Sequence, residues 1–319
     1  MLSTPWSRSF GLRAPILNAP MGGVAGGRLA AAVTAAGGLG MVGMGSAANR
    51  ELLRTQLQHV QGIFGIGLVD WVMRAEAGLL EDALAARPAL LSVSFGTDWS
   101  WVGKAHDAGV PTVTQVYDGV GARAAVDAGV YVVVARGCEG GGHGETKLST
   151  LPLLDTVLNA VSVPVLAGGG IASPRSLAAV LAAGASGAWV GTRLAACPEA
   201  LTGDGSRRAL IGARATDTAI TRVFDVAKGL PWPARFPSRV LANDFVARWA
   251  GKEDALDQSA CDELAAALAA DDPRIAPVDA GQGVGMISDD ASVGEVIDEM
   301  CTGAESLLAG WGSGQIPRR

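Results

Sequence analysis

The sequence predicts an α/β fold, a (β/α)8 barrel with a small inserted α-helical domain near the C-terminus. Two observations predict the barrel. The first two-thirds of the chain alternates eight short apolar strands with Ala-rich helices, and several of these helices stop at a glycine. Repeated strand–helix–strand units imply parallel strands with right-handed crossovers, and eight units fit a barrel of typically about 250 residues. A doubly wound open sheet is the alternative, but it would normally need fewer strands.

Each strand candidate is a short run rich in apolar and β-branched residues, and each helix candidate is a longer Ala-rich run. The strands are expected at 16–18, 41–42, 64–69, 90–94, 112–115, 131–135, 164–167 and 188–190. The helices between them are expected at 28–36, 50–61, 79–86, 99–108, 119–128, 151–161 and 174–183. Glycines that follow Ala36, Ala108, Ala128 and Ala183 are typical of helix C-termini.

The pattern changes after residue 224, where the chain becomes rich in Pro, Trp, Asp and Ala. We expect three parts: a barrel over 1–224, a helical domain that covers the substrate over 225–290, and a final barrel helix with a tail over 291–319. The middle part is expected to hold helices at 238–250 and 257–270 and no strand, and the last helix is expected at 293–308. The aromatic residues of the helical domain are expected to pack inside that domain rather than to line a substrate entrance; they are Trp232, Phe236, Phe245 and Trp249.

Composition narrows the functional classes. Hydrophobic residues make up 49% of the 319-residue chain and charged residues 18%, which favours a large folded core. The net charge of −6 and the lack of a basic run before Arg318 disfavour nucleic-acid binding. No apolar run predicts a membrane span, and residues 1–10 lack the apolar stretch of a signal peptide. The four cysteines are far apart, which predicts neither a disulfide framework nor a metal site and fits a reducing cytoplasm.

His143 is the strongest candidate for a catalytic residue. It lies in a glycine-rich loop, residues 137–144, which also carries Glu139. Glycines let a ligand approach the backbone, and an imidazole is a suitable proton acceptor near neutrality. The loop is expected to be open, with no neighbouring side chain to shield the histidine. His59 and His106 lie in helical stretches and are expected to be structural or exposed to solvent.

Two glycine turns in successive βα units predict an anion site. Gly168, Gly169 and Gly170 follow a strand, and Ser173 and Pro174 then begin a helix as N-cap and first residue. One unit later, Gly191 and Thr192 follow the eighth strand. In a barrel these are the loops after strands seven and eight, where phosphate groups bind most often. A third turn, Pro20-Met21-Gly22-Gly23, ends the first strand and would lie along a flat ring, with Met21 against its face.

Several of these segments together resemble the nitronate monooxygenase family, formerly called 2-nitropropane dioxygenases. Residues 19–23 and 29–40 resemble the family's opening motif, and residues 137–143 are similar to its G-x-E-A-G-G-H motif. Residues 164–170 and 184–193 look like its phosphate-binding motif, and residues 280–285 like the stretch before its last helix. The resemblance covers most of residues 10–224 and resumes near residue 280.

The resemblance implies an FMN-dependent TIM-barrel oxidoreductase with a helical second domain. His143 would be the base that removes the α-proton of a nitroalkane or orients a nitronate. Gly168, Gly169, Gly170, Gly191 and Thr192 would hold the FMN phosphate. The isoalloxazine would lie against the segment after strand one and near the end of strand five; the remaining cofactor-binding positions are Asn18, Ala19, Pro20, Met21, Gly22, Gln115, Arg136, Gly141 and Gly142.

Three features depart from the family pattern. Many members carry Gln or Asp where this chain has Arg136, and Gly140 replaces the usual Ala. The strand and turn at 65–71 also lack the Asn that is common in the family. An arginine there would either favour an anionic partner near the flavin or pair with Glu139.

The leading functional prediction is oxidation of alkyl nitronates by O2 to a carbonyl compound and nitrite. The alternative within the same fold is a flavin reductase that uses NAD(P)H, either a quinone reductase or an enzyme like enoyl-acyl carrier protein reductase II. A third reading, a non-flavin barrel for a phosphorylated metabolite, would need a catalytic lysine or a carboxylate pair at strand ends. None of the four lysines ends a predicted strand. The sequence allows a homodimer without specifying one.

Overall fold

The computed structural model describes residues 2–313. The expected tail therefore falls partly outside the described residues, at 314–319. Eleven strands are present in the described part; they are β1 (Ile16–Asn18), β2 (Gly40–Met44), β3 (Phe64–Val69), β4 (Leu90–Ser94), β5 (Thr112–Val116), β6 (Val132–Arg136), β7 (Gly142–His143), β8 (Val165–Gly168), β9 (Gly187–Val190), β10 (Thr218–Thr221) and β11 (Ser238–Leu241).

Eight of these strands form one parallel sheet in the order β1-β9-β8-β6-β5-β4-β3-β2. A parallel bridge between Leu17 and Leu39 joins the two ends of that order, so the sheet closes on itself. The predicted barrel is confirmed, and every expected barrel strand is present to within one or two residues. The open-sheet alternative is wrong, because a doubly wound sheet keeps two free edges.

Fifteen α-helices are present within residues 2–313, and those that follow the barrel strands cover the outside of the sheet. The fifteen helices are α1 (Pro5–Ser9), α2 (Gly27–Ala35), α3 (Arg50–Leu57), α4 (Asp70–Ala75), α5 (Leu79–Ala85), α6 (Ser100–Asp107), α7 (Gly119–Asp127), α8 (Thr150–Leu158), α9 (Pro174–Ala182), α10 (Thr192–Ala195), α11 (Asp204–Gly212), α12 (Val223–Ala227), α13 (Asp244–Trp249), α14 (Gln258–Ala269) and α15 (Val293–Ser313). All seven helices expected between the barrel strands are found. The last helix runs to Ser313 rather than stopping at 308. Within residues 2–313, every helix is too short or too polar to serve as a membrane-spanning segment.

The strands alternate between the helix layer and the inside of the barrel, as strand geometry requires. In β6, Val133 and Ala135 face the helices, whereas Val132 and Val134 join an inner cluster that fills the lower barrel. That inner cluster contains large side chains such as Leu17, Met41, Leu90 and Trp189. The barrel is therefore a packed core with its functional surface at the end where the strands finish.

A second, smaller sheet lies beside the barrel and corrects one expectation. β11 pairs with β10 and with β7, both antiparallel, in the order β10-β11-β7. Residues 238–250 were expected to be one helix; instead 238–241 form β11 and only Asp244–Trp249 is helical. The alternation of Ser238, Arg239 and Val240 fits a strand with one buried face, and a single short strand gives too weak a period to recognise in sequence.

Candidate active site

The layer of side chains at the mouth of the barrel is mostly small. Continuing the inward alternation of each strand to its C-terminal end places the following residues at the mouth: Ala19, Gly43, Gly67, Ser94, Gln115, Arg136, Gly168 and Gly191. At Gly43 and Gly67 an added Cβ would collide with Pro20, so the turn after β1 lies directly across these two strand ends. The mouth thus offers a shallow floor made of backbone and small side chains.

Asn18 anchors this turn rather than presenting a free amide to the mouth. Its Oδ1 accepts a hydrogen bond from Met41 N at 2.7 Å, and its Nδ2 donates to Met41 O at 2.8 Å. The side chain is fully buried. Asn18 therefore ties β1 to β2 at the closure of the barrel, and the residues that follow it, Ala19 to Gly22, are the ones exposed toward the mouth.

The glycine turn after β8 leaves peptide N–H groups free for an anion. Gly169 and Gly170 have φ values of +106° and +71°, which only glycine adopts readily. Within residues 2–313, the N–H groups of Gly170 and Ile171 donate to no acceptor. Helix α9 begins just beyond, where Ser173 and Ser176 form a capping box and Pro174 is the first residue, as expected. Unpaired N–H groups on a glycine turn at a helix N-terminus are what a phosphate requires.

The turn after β9 faces the same space. The Thr192 N–H also lacks an acceptor within the described part of the chain, while its Oγ1 accepts from Gly281 N at 2.9 Å. At Gly191 the nearest atoms to an added Cβ would be Met21 Sδ and Ala19 Cβ, at 3.6 and 3.7 Å. The turns after β1 and β9 therefore lie side by side, and the sequence 280–285 is brought to them through Gly281.

The loop that carries His143 is fixed to the glycine turn. Gly137 N donates to Gly168 O at 2.8 Å, and Thr150 Oγ1 lies 2.8 Å from both Glu139 Oε2 and Gly169 O. Glu139 also accepts from Thr150 N at 2.8 Å. Glu139 is thus a brace between α8 and the loop. The alternative in which Arg136 pairs with Glu139 is wrong, because Glu139 is engaged by Thr150 and Arg136 by loop carbonyls.

Arg136 holds the same loop from below. Its Nη2 donates to the carbonyls of Gly140, Gly141 and Gly142 at 2.9, 2.9 and 3.1 Å. The residue is 6% exposed, and this burial lowers the pKa of the guanidinium from its usual value. Gly140 and Gly144 are glycines because a Cβ at either position would meet that guanidinium. Because three successive carbonyls must face the same guanidinium, Arg136 fixes the backbone conformation of the loop.

His143 is held on two sides, so the expectation of an open, unshielded histidine is wrong. Residues 142–143 form β7, which pairs with β11. The imidazole Nε2 lies 3.1 and 3.0 Å from the two carboxylate oxygens of Asp225. Its ring stacks on Trp232, with centroids 3.6 Å apart and planes 6° from parallel. Only 16% of the His143 side chain remains exposed.

Aromatic side chains form a roof over the barrel mouth. Trp232 contacts Trp71 and Phe95 edge-on, with centroids 5.9 and 5.0 Å away, and its Nε1 donates to Ser46 Oγ at 3.1 Å. Phe236 packs against Phe95 and Tyr117 at 5.4 and 5.5 Å. Trp71, Phe95 and Tyr117 follow β3, β4 and β5, so the segment after α12 is fastened across that side of the rim.

Comparison with known proteins places this arrangement in a family. The nitronate monooxygenase family model matches residues 4–66 and 71–303. This chain belongs to the nitronate monooxygenase family. It is accordingly an oxidoreductase, and the resemblance drawn from its motifs is confirmed.

Individual relatives within and near the family differ in activity. A nitronate monooxygenase of Pseudomonas aeruginosa is 33% identical, with 71% of this chain and 79% of that protein covered. A (3aS,4S,5R,7aS)-5-hydroxy-7a-methyl-1-oxo-octahydro-1H-indene-4-carboxyl-CoA dehydrogenase of Rhodococcus jostii is 30% identical, covering 77% of this chain and 67% of that protein. Among solved structures, FabK of Thermotoga maritima superposes with a TM-score of 0.86 at 26% identity, covering 98% of this chain and 100% of that one.

Family membership fits the motif residues, but two site residues escaped sequence reasoning. Asp225 lies 82 positions after His143 and has no motif around it. Trp232 was expected to pack the helical domain, and instead covers His143 and the rim; Phe236 joins it there. For Phe245 and Trp249 the packing expectation is confirmed, since both lie in the cluster with Val240 and Leu264. A tryptophan between two prolines, Pro231-Trp232-Pro233, is the one available signal for a rigid covering segment.

Proposed function

We propose that this protein is an FMN-dependent nitronate monooxygenase that oxidises alkyl nitronates with O2 to a carbonyl compound and nitrite. The observation that carries the proposal is the position of His143. Its imidazole lies on the loop braced to the glycine turn after β8, and its Nδ1 has no hydrogen-bond partner among residues 2–313. A proton acceptor next to an anion cradle, in a family of oxidoreductases, fits a flavin enzyme that acts on an acidic carbon.

The residues at the mouth fit a flavin mononucleotide. The unpaired N–H groups of Gly170, Ile171 and Thr192 would hold its phosphate. The floor formed by Ala19, Pro20, Met21 and Gly22 would lie along the ring. Bound there, the flavin would supply the redox chemistry by taking electrons from the organic substrate and passing them to O2. We infer FMN rather than a dinucleotide from the family resemblance. The G-x-G-x-x-G spacing at residues 38–43 is not a dinucleotide fingerprint, because residues 40–43 lie within β2 rather than in a turn that opens a helix.

The protein's own groups have separate tasks in this scheme. With a nitroalkane as substrate, His143 Nδ1 would accept the proton from the carbon next to the nitro group, leaving the negative charge on the nitro oxygens. With a nitronate, which is already deprotonated, the ring would instead act as the imidazolium, with a hydrogen on each nitrogen, and would orient those oxygens through Nδ1–H. Gln115 points into the mouth from β5, and its Oε1 lies 3.5 Å from the Tyr117 hydroxyl; its amide could donate to the flavin edge. Residues 225–290 would act as the cover that keeps water from the site.

The direct test is a comparison of wild type with His143→Gln, both reconstituted with FMN. Wild type should consume O2 and release nitrite when an alkyl nitronate is added in air. His143→Gln should retain FMN and lose about 10²- to 10⁴-fold in kcat/KM on a nitroalkane, the usual contribution of a general base. His106→Gln changes an exposed histidine on α6 whose ring forms a hydrogen bond with Gly129 O, and it is the matched control. Absence of nitrite across several nitronates would disprove the proposal.

A second candidate is a flavin reductase that takes electrons from NAD(P)H, as a quinone reductase or an enoyl-acyl carrier protein reductase would. Two comparisons favour this candidate: the superposition on FabK over nearly the whole chain, and the similarity to a dehydrogenase. The discriminating measurement is anaerobic mixing with NADH or NADPH. Fast bleaching of the flavin without nitronate turnover favours the reductase, whereas nitronate turnover without bleaching favours the monooxygenase.

A further inference from the structure

The carboxylate of Asp225 is committed to His143. Asp225 is 3% exposed, and both of its oxygens lie within 3.1 Å of His143 Nε2. No other hydrogen bond or ion pair to this carboxylate occurs within residues 2–313. Burying an ionised carboxylate is costly unless it is paired. Within residues 2–313, this buried acid has the ring of the candidate base as its one partner. Keeping it buried therefore costs folding free energy.

The chemistry of the pair fixes which ring nitrogen carries the hydrogen. An ionised carboxylate can only accept hydrogen bonds, so the Nε2 that it flanks must donate. A neutral imidazole has one N–H, and Nδ1 is then the nitrogen with the free lone pair. We propose that Asp225 is a positioning residue that holds His143 in the Nε2–H tautomer and makes Nδ1 the reactive nitrogen. This inference rests on the proposed role of His143 as the base.

Trp232 completes the positioning by fixing the plane of the ring. Its indole covers one face of the imidazole at 3.6 Å, and its own Nε1 is tied to Ser46. With one face covered and Nε2 engaged, the ring edge that carries Nδ1 remains as the approach for a substrate. Within residues 2–313, Nδ1 has no hydrogen-bond partner and is not one of the fully buried polar atoms left without a partner, so it is accessible.

The same pair would assist the proton transfer itself. When Nδ1 takes a proton, the ring becomes a cation, and a carboxylate on the opposite nitrogen stabilises that cation. The proton stays on the imidazolium until it is returned, and Asp225 remains ionised throughout. Replacing the carboxylate by an amide removes this stabilisation in either orientation of the amide, and with its NH2 toward the ring it also forces the hydrogen onto Nδ1.

The first experiment reads the tautomer without any turnover. Full-length protein carrying FMN is labelled with ¹⁵N-histidine, and His143→Gln assigns the His143 signals among the three histidines. We expect the neutral ring to carry its hydrogen on Nε2. A hydrogen on Nδ1 would overturn the proposal. Because no substrate is added, this result does not depend on whether nitronates are the substrates.

The second experiment separates positioning from packing. Asp225→Asn should lower kcat about 10²-fold or more while KM changes little, because binding contacts are kept. Asp225→Glu keeps the carboxylate and should retain clearly more activity than Asp225→Asn. Asp244→Asn changes an exposed acid on α13 and is the control, expected at wild-type activity. Equal losses in Asp225→Asn and Asp225→Glu, or none in Asp225→Asn, would overturn the proposal.

Discussion

Arg136 shows how one buried side chain can set the shape of the loop that carries His143. The sequence suggests an arginine that meets the cofactor or pairs with Glu139, because a cation usually seeks an anion. The structure instead turns three successive carbonyls of the loop toward Nη2. Partial charges on three peptide oxygens replace one carboxylate, and the loop is bent so that His143 follows directly after the bend. Its contact with a flavin remains a prediction.

Replacing Arg136 with Met should therefore loosen the His143 loop. Three carbonyls would lose their donor, and leaving buried polar groups unpaired costs roughly 1–3 kcal/mol of unfolding free energy. Urea unfolding should show that loss, together with a reduced kcat. Arg123→Met, which changes an exposed arginine on α7, should stay within about 0.5 kcal/mol of wild type. Wild-type stability and turnover in Arg136→Met would show that the loop does not depend on the guanidinium.

Single residues also mark the limit of what sequence can predict. His143, Ser173 and the glycine turn at 168–170 could be identified because their function depends on neighbours in the chain. Asp225 could not, because its role depends on a partner 82 positions away. The same reason hides the stacking of Trp232 on His143, since a tryptophan in an apolar segment is far more often part of a core.

At the scale of elements, α15 links the C-terminal segment to the candidate phosphate site. It packs against α9 and α2, which begin beyond β8 and β1. α15 comes close to α9 at Gly303, where an added Cβ would lie 2.6 Å from Pro174 Cβ. Pro174 is the first residue of the helix that follows the glycine turn. A shift of α15 would therefore displace the N-terminus of α9.

Two alanine substitutions in α15 test that contact. Gly303→Ala should destabilise the protein by about 1–3 kcal/mol through overpacking and should weaken FMN binding. Gly294→Ala, in the same helix, meets nothing nearer than Ser292 Oγ at 4.0 Å and should be neutral or stabilising by up to about 1 kcal/mol. Thermal unfolding and FMN titration measure both effects. Equal behaviour of the two variants would contradict the close packing described.

The elements that sequence predicted well are those with a strong local period. The barrel strands each carry three or more buried positions in a row, and glycine stops mark the ends of several of the helices between them. β7 and β11 have two and four residues, and they exist because they pair with one another rather than because of their own pattern. The expected helix over 238–250 was wrong for this reason, and so was the expected open loop at 142–143.

At the scale of the whole molecule, the barrel and the C-terminal segment divide the work. The barrel supplies a floor of small residues and two turns with unpaired N–H groups. The segment from 218 to 241 supplies the strand, the acid and the tryptophan that hold His143 in place. The division into 1–224, 225–290 and 291–319 remains a proposal, since β10 already belongs to the small sheet before residue 225.

The absorption spectrum of the purified chain, before and after incubation with FMN, tests the central claim most directly. We predict visible flavin bands that remain with the protein after free FMN has been removed by gel filtration, because the turns after β8 and β9 together offer three unpaired N–H groups to its phosphate. A protein that stays colourless after incubation with FMN would contradict the proposed cofactor, and with it the flavin chemistry assigned to this site.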